Sequence, residues 1–152
     1  MSEELHTLIY NKALDLISRR EHSQKEIRNK LLIRYEDNAV IESVISKLVS
    51  NNLINNFRFA ELYLLNRKRK GFGPKKIFYE LVEKGISDSI SNEIISQEKE
   101  WDIVAKKAFF KKFKDGPSID IKIKSKQKAF LVNRGFSFKE IESVFTNDML
   151  WF

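Results

Sequence analysis

The feature that most constrains this chain is a repeat. Laid over itself at a shift of about 50 residues, the sequence brings Leu31, Leu81 and Leu131 into line, and Ile27 onto Ile77. Leu81-Val-Glu-Lys-Gly-Ile-Ser87 falls on Leu131-Val-Asn-Arg-Gly-Phe-Ser137, so Gly85 meets Gly135, while Tyr35 stands where those glycines stand. Ser23 and Gly73 both mark the start of a second helix. The shift is not rigid, since Ile90 and Ile141 differ by one position. A period of this size points to helical units whose apolar faces are completed by neighbours.

The units read as helices throughout. Leu5, Leu8, Ile9, Leu16 and Ile17 recur at helical spacing up to about Arg20. Ser23-Gln-Lys-Glu26 is a capping box, with Ile27, Leu31 and Leu32 behind it. Val40, Ile41, Val44, Ile45, Leu48 and Val49 form a third run, closed by Asn-Asn-Leu-Ile-Asn-Asn. Phe57 to Lys70 is a fourth, ended by Gly71 and Gly73, and Pro74 opens the next helix with its preset φ. Ile77, Phe78, Leu81 and Val82 supply its apolar face; Gly85 ends it and Ser87 caps a short helix through Ile94. A helix follows from Trp101 to Phe113. Ser137-Phe-Lys-Glu140 is a second capping box before Ile141, Val144 and Phe145. Ile119, Ile121 and Ile123 alternate like a strand, but a lone strand in a helical chain has no partner, so the stretch is read as a loop leading into a helix. The expected fold is all-α: three tandem three-helix repeats, 5–54, 55–99 and 100–152, in an elongated, curved body.

Charge narrows the function. Residues 1–57 hold eight basic and eight acidic residues, whereas 58–76 hold seven basic residues against Glu61 alone, and 106–128 hold nine lysines against two aspartates. The net charge of +7 is therefore clustered, which suits a polyanion or an acidic partner. The chain has no cysteine, so disulfide and thiol chemistry are out, and with only His6 and His22 no zinc site or cofactor is expected. Both histidines are read as packing or surface residues. No apolar run approaches the ~20 residues of a membrane span, and the acidic start lacks a signal-peptide core; a cytoplasmic protein is the expectation.

No catalytic constellation is present. Gly71-Phe-Gly-Pro-Lys-Lys76 lacks the spacing and the hydroxyl of a phosphate-binding loop and follows no strand. Glu80 and Glu83 read as a solvated helix face supported by Lys76 and Lys84. The regularly spaced phenylalanines read as core; Phe72, set between two glycines beside the basic run, is left open between core packing and exposed contact. An enzyme is not expected.

Leu53-Ile-Asn-Asn-Phe-Arg-Phe-Ala60, followed by Lys70-Gly-Phe-Gly-Pro-Lys-Lys-Ile-Phe-Tyr-Glu-Leu-Val-Glu-Lys-Gly-Ile86, resembles the central signature of the RecX family of RecA regulators. Phe130-Leu-Val-Asn-Arg-Gly-Phe-Ser137 resembles that family's C-terminal signature, and Arg19 to Leu31 its first repeat. The resemblance spans about residues 9–146. Asn56 departs from the usual acidic residue, where asparagine would cap as well, and Asp115 to Lys124 carries nothing diagnostic. The resemblance implies a non-enzymatic protein that binds RecA, lies in the groove of its filament on single-stranded DNA, and inhibits strand exchange, ATP hydrolysis and coprotease activity.

On that reading Arg58, Arg67, Lys68, Arg69, Lys70, Lys75, Lys76 and Arg134 are the candidate contacts to RecA carboxylates or DNA phosphates, in a monomer. Tyr79, Glu80, Gly85 and Gly135 are read as structural. The alternative is a stand-alone DNA-binding helical module. Its third helices would begin Asp88-Ser-Ile-Ser and Phe138-Lys-Glu-Ile, poor openings for reading bases. Lys75 and Lys76 stand at a helix N-terminus, where the dipole disfavours cations, and a partner's negative charge is the expected compensation.

Overall fold

The computed structural model describes residues 2–146; the last six residues of the expected third repeat lie outside them. The described residues form helices α1 (Ser2–Arg19), α2 (Gln24–Arg34), α3 (Asn38–Ser50), α4 (Asn56–Arg69), α5 (Pro74–Glu83), α6 (Asp88–Gln97), α7 (Trp101–Lys112), α8 (Ile121–Arg134) and α9 (Phe138–Phe145), with no strand among them. The helices pack by threes, α1 with α2 and α3, α4 with α5 and α6, α7 with α8 and α9.

Each trio has its own core. Ile9, Ala13, Ile27, Leu31, Ile41, Val44 and Leu48 are buried in the first. Phe59, Ala60, Leu64, Ile77, Leu81, Ile86 and Ile94 fill the second, with Trp101 closing it from α7. Ala105, Phe109, Leu131, Phe136, Ile141 and Val144 fill the third. Each such aliphatic side chain contributes ~1.5–3 kcal/mol by leaving water. Leu31, Leu81 and Leu131, aligned by the repeat, are all fully buried. Phe109 is the hub of the last core, its ring 5.0–5.3 Å from those of Phe110, Phe113 and Phe145. Leu8, Leu32, Val49 and Val82 depart from the sequence reading, standing 37–56 % exposed at the flanks of their helices.

The helix ends follow their capping chemistry. Ser23 Oγ accepts from Glu26 N–H at 3.1 Å while Glu26 Oε1 accepts from Ser23 N–H at 3.2 Å, and Ser137 with Glu140 does the same. Gly73 caps α5, with Pro74 at its first position. The isoleucines at 119, 121 and 123 are a loop residue and the first turn of α8: Asp120 Oδ1 accepts from Lys122 N–H and Ile123 N–H at 2.9 and 3.1 Å. Asn56 is not the cap it resembles. Asn55 caps α4, accepting from Arg58 N–H at 2.9 Å, and Asn56 Oδ1 instead accepts from Gln24 N–H at 2.9 Å, tying the second trio to the first.

The trios meet through their middle helices. Ser23 Oγ donates to Lys84 O at 2.7 Å and Lys25 Nζ to Glu83 O at 2.8 Å, so the start of α2 receives the end of α5. One trio further on, Gly73 N–H donates to Arg134 O at 2.7 Å and Lys75 N–H to Gly135 O at 2.9 Å, so the start of α5 receives the end of α8. Positive helix ends thus meet negative ones; side-chain donors of α2 and its cap satisfy the carbonyls that end α5, and backbone N–H groups at the start of α5 satisfy those that end α8. Gly85 and Gly135 make this approach possible. Their φ values are +85° and +97°, and a Cβ on either would lie 2.6 Å from Lys25 Cβ or 2.4 Å from Lys76 Cβ.

Candidate functional site

The basic stretch lies where α4 ends, α5 begins and α8 docks. Seven of the eight candidate cations gather there. Arg67 Nε and Nη2 donate to the two oxygens of Glu80 at 2.9 and 2.8 Å, a bidentate pair on facing helices. Tyr63 Oη also donates to Glu80, at 2.9 Å, and burial, then the bond to this carboxylate, push the phenol up to about 12. Lys68 is engaged as well, donating to Glu98 Oε1 at 2.9 Å and Lys99 O at 2.8 Å.

Phe72 sits at the centre. It packs, partly buried, against the second core, and cations collect over its ring. The Arg67 guanidinium lies 3.7 Å from the ring centroid, the Arg134 guanidinium 4.5 Å and Lys76 Nζ 5.4 Å. Arg134 also lies 5.2 Å from Phe130 and donates from Nη1 to Lys70 O at 3.3 Å. Among the described residues, Arg69, Lys70 and Lys75 have no side-chain hydrogen bond or ion pair to the protein, and Lys76 and Arg134 have no carboxylate partner.

Arg58 is placed apart, at the other end of α4, about 14 Å along the helix axis from Arg67. Its Nε donates to Glu21 Oε1 at 2.6 Å and its Nη2 to Asn52 O at 3.2 Å, so it anchors the first trio to the second. Nearby, Glu26 holds Arg20 through both oxygens at 3.1 and 3.2 Å and accepts from Lys84 at 3.4 Å. Burial raises the Glu26 carboxyl, but the Arg20 and Ser23 hydrogen bonds and the two positive charges outweigh it and hold it below its ordinary value. Arg20, Glu21, Glu26 and Lys84, with Phe59 and Arg69, line a cleft of about 500 Å³.

The helix N-terminus on which Lys75 and Lys76 stand is met by the carbonyl end of α8, through Gly73 N–H to Arg134 O and Lys75 N–H to Gly135 O. Tyr79 does not pack structurally, being 68 % exposed with only an edge contact to Phe78. Of the lysines of 106–128, Lys112 on α7 covers Phe130 at 5.2 Å and Lys128 on α8 pairs with Glu142 at 2.9 Å. From sequence, Glu26 read only as a capping acid and Lys84 as support for Glu80 and Glu83, whereas the two pair with each other at 3.4 Å. The signal was present, since the 50-residue alignment puts Lys84 on Arg134 and Glu26 on Lys76. Among the described residues no group of histidines and acids could hold a metal ion.

Two family models match the chain: RecX, first three-helix domain, over residues 10–48, and RecX, second three-helix domain, over residues 55–95. Among curated proteins, the regulatory protein RecX of Serratia proteamaculans is 31 % identical, over 90 % of this chain and 95 % of its own. That of Vibrio campbellii is 35 % identical over 85 % and 84 %. The crystal structure of RecX from Lactobacillus salivarius superposes with a TM-score of 0.77 at 25 % identity, covering 95 % of this chain and 97 % of its own. A second crystal structure of a regulatory protein RecX shares the fold, with a TM-score of 0.80 at 21 % identity over 96 % of this chain and 74 % of its own. With tandem three-helix units, a basic corner where two of them meet, and relatives of this similarity along nearly its whole length, this chain belongs to the RecX family of regulatory proteins.

Proposed function

We propose that the protein is a non-enzymatic regulator of the RecA recombinase. It binds as a monomer in the groove of the RecA filament on single-stranded DNA and inhibits ATP hydrolysis, strand exchange and coprotease activity in the cytoplasm. The observation that carries this reading is the basic corner: Arg69, Lys70, Lys75, Lys76 and Arg134 gather where two trios dock, without carboxylate partners among the described residues. Membership in a family of regulatory proteins supports it. Arg67 and Lys68 belong to the same surface, each sharing its charge with a glutamate, and Arg58 contributes from the far end of α4. In this reading the cations pair with RecA carboxylates and DNA phosphates, and successive trios meet successive protomers. The test is the single-stranded-DNA-dependent ATPase of RecA with purified protein added at substoichiometric to equimolar ratios. Inhibition that weakens when Lys70, Lys75 and Lys76 are changed together to glutamine supports the reading; an unchanged rate at equimolar protein rejects it.

A second reading, a stand-alone DNA-binding module, draws on the same cations. The third helices begin at Asp88 and Phe138, so such a module would grip only the backbone. Its signature would be tight binding to DNA without RecA, with a log–log salt slope of about −0.7 per phosphate contacted on single strands.

A further inference from the structure

The two junctions between trios are built on the same plan, and one difference between them exposes a site. At a shift of 50, Arg20 falls on Lys70, Glu26 on Lys76 and Lys84 on Arg134. In the first junction the Glu26 carboxylate is the centre of charge. Arg20 holds both of its oxygens, Lys84 Nζ lies 3.4 Å away, and Ser23 N–H donates to it. Only 14 % of that side chain is exposed, so the first junction carries its own buried anion. In the second junction the two flanking cations are kept, as Lys70 and Arg134, but the carboxylate between them is replaced by Lys76.

The neighbouring pair changes in the same sense. Glu21 and Arg58, ion-paired at 2.6 Å in the first junction, correspond to Gly71 and Ala108 in the second. There a Cβ on Gly71 would lie 3.3 Å from Ala108 Cβ. The second junction has therefore lost both acids of the first and gained a lysine. Lys76 and Arg134 share the Phe72 ring at 5.4 and 4.5 Å, an arrangement of like charges that Coulomb repulsion opposes. Glu80 does not relieve it, because Arg67 and Tyr63 already occupy its oxygens.

We infer that the second junction is a binding site for an external anion, a phosphate of a single-stranded DNA backbone, which takes the place that the Glu26 carboxylate fills in the first. Lys70, Lys76 and Arg134 are its ligands. Three cations exceed what one carboxylate neutralises, and Arg69 and Lys75, next to Lys70 and Lys76 in the sequence, add further positive charge for a chain of phosphates. The guanidinium groups already over Phe72 leave its ring to them, so the site reads phosphate and not base. This site rests on the proposed function for its DNA, but not on the action on RecA.

The test exploits the internal comparison. Lys76→Glu restores to the second junction the acid that the first possesses, and the new carboxylate should fill the site from within. The full-length variant should bind a fluorescent oligothymidylate at least about tenfold more weakly than the parent, lower the salt slope by about 0.7, and melt no lower than the parent. Lys139→Glu, at an exposed position on α9, makes the same change in net charge and serves as the control. Loss of binding in Lys76→Glu well beyond that in Lys139→Glu, with the melting temperature held or raised, supports the site. Equal losses in the two variants, or no binding of the oligonucleotide by the parent, overturns it. RecA ATPase inhibition is measured separately on the same proteins: a parent that binds oligothymidylate at this site yet leaves RecA unaffected rejects the proposed function and keeps the site.

Discussion

A Cβ on Gly73 would lie 2.5 Å from the carbonyl of Gly135, because the second and third trios meet backbone against backbone. Gly73 N–H donates to Arg134 O across this contact, and the candidate cations are arrayed around it. The junction is thus the scaffold of the basic corner as well as the link between two cores.

Gly135→Ala should therefore be costly. The alanine would hold a left-handed φ of +97° and press on Lys76 backbone N at 2.5 Å, and together these should cost at least ~2 kcal/mol. Gly116→Ala makes the same left-handed demand at φ +82° but meets only Phe110 Cε1 at 3.4 Å, so its cost should stay near ~1 kcal/mol. Urea unfolding of both variants measures the difference.

Gly73→Ala separates packing from backbone strain, since Gly73 has φ −94°. The expected result is a second junction that opens while the individual cores persist. Amide hydrogen exchange at Lys75, whose N–H donates to Gly135 O, should accelerate by at least tenfold relative to that of Leu81.

His22 should give the protein an acid-sensitive limb near neutrality. Its Nδ1–H donates to Arg20 O at 2.9 Å and its Nε2 accepts from Lys30 Nζ at 2.9 Å, an arrangement that requires the neutral ring. Burial, with the charges of Arg20 and Lys30, lowers its pKa below the ordinary 6.5. The unfolded chain takes the proton first, so stability is complete above about pH 6.5 and falls as pH drops toward the lowered folded value. Thermal melts from pH 7.5 to 5 should show this slope in the parent and a flatter one in His22→Gln.

Glu26→Gln should weaken the first junction by ~1–3 kcal/mol, since Arg20 and Lys84 lose their shared counter-charge in a mostly buried setting. The carboxyl is held below 4.5 in the folded protein. Its contribution is therefore present above pH 4.5 and is lost as pH falls through the lowered value, an acid limb distinct from that of His22. Chemical denaturation at pH 7 and at pH 3.5 should show a large difference between parent and variant at the first and a small one at the second.

Tyr63 should titrate late. With its phenol pushed up to about 12 by burial and its bond to Glu80, it should remain protonated when freely exposed tyrosines ionise near 10. Ultraviolet difference titration of the parent against Tyr63→Phe isolates its step. Because the unfolded chain loses this proton first, the associated stability is present below pH 10 and declines between 10 and 12.

The sequence by itself determined the helices, their caps and the repeat. Ser23 and Ser137 with their glutamates, Pro74 at a first turn, and leucines recurring every 50 residues act through contacts a few residues apart or through periodicity, and both are written linearly along the chain. Membership in the family was legible for the same reason, in ordered strings of local signature. Only the tertiary structure decided what those residues do between trios. Asn56 tethers α2 instead of capping α4, Arg58 is committed to Glu21, and the glycines at 85 and 135 are places where helices touch as well as places where they end. The helix N-terminus that carries Lys75 and Lys76 is met by the carbonyl end of α8, some sixty residues further along. Charge pairing and backbone contact depend on distance in space, and the chain records that distance only after its three cores have closed and set their middle helices end to end.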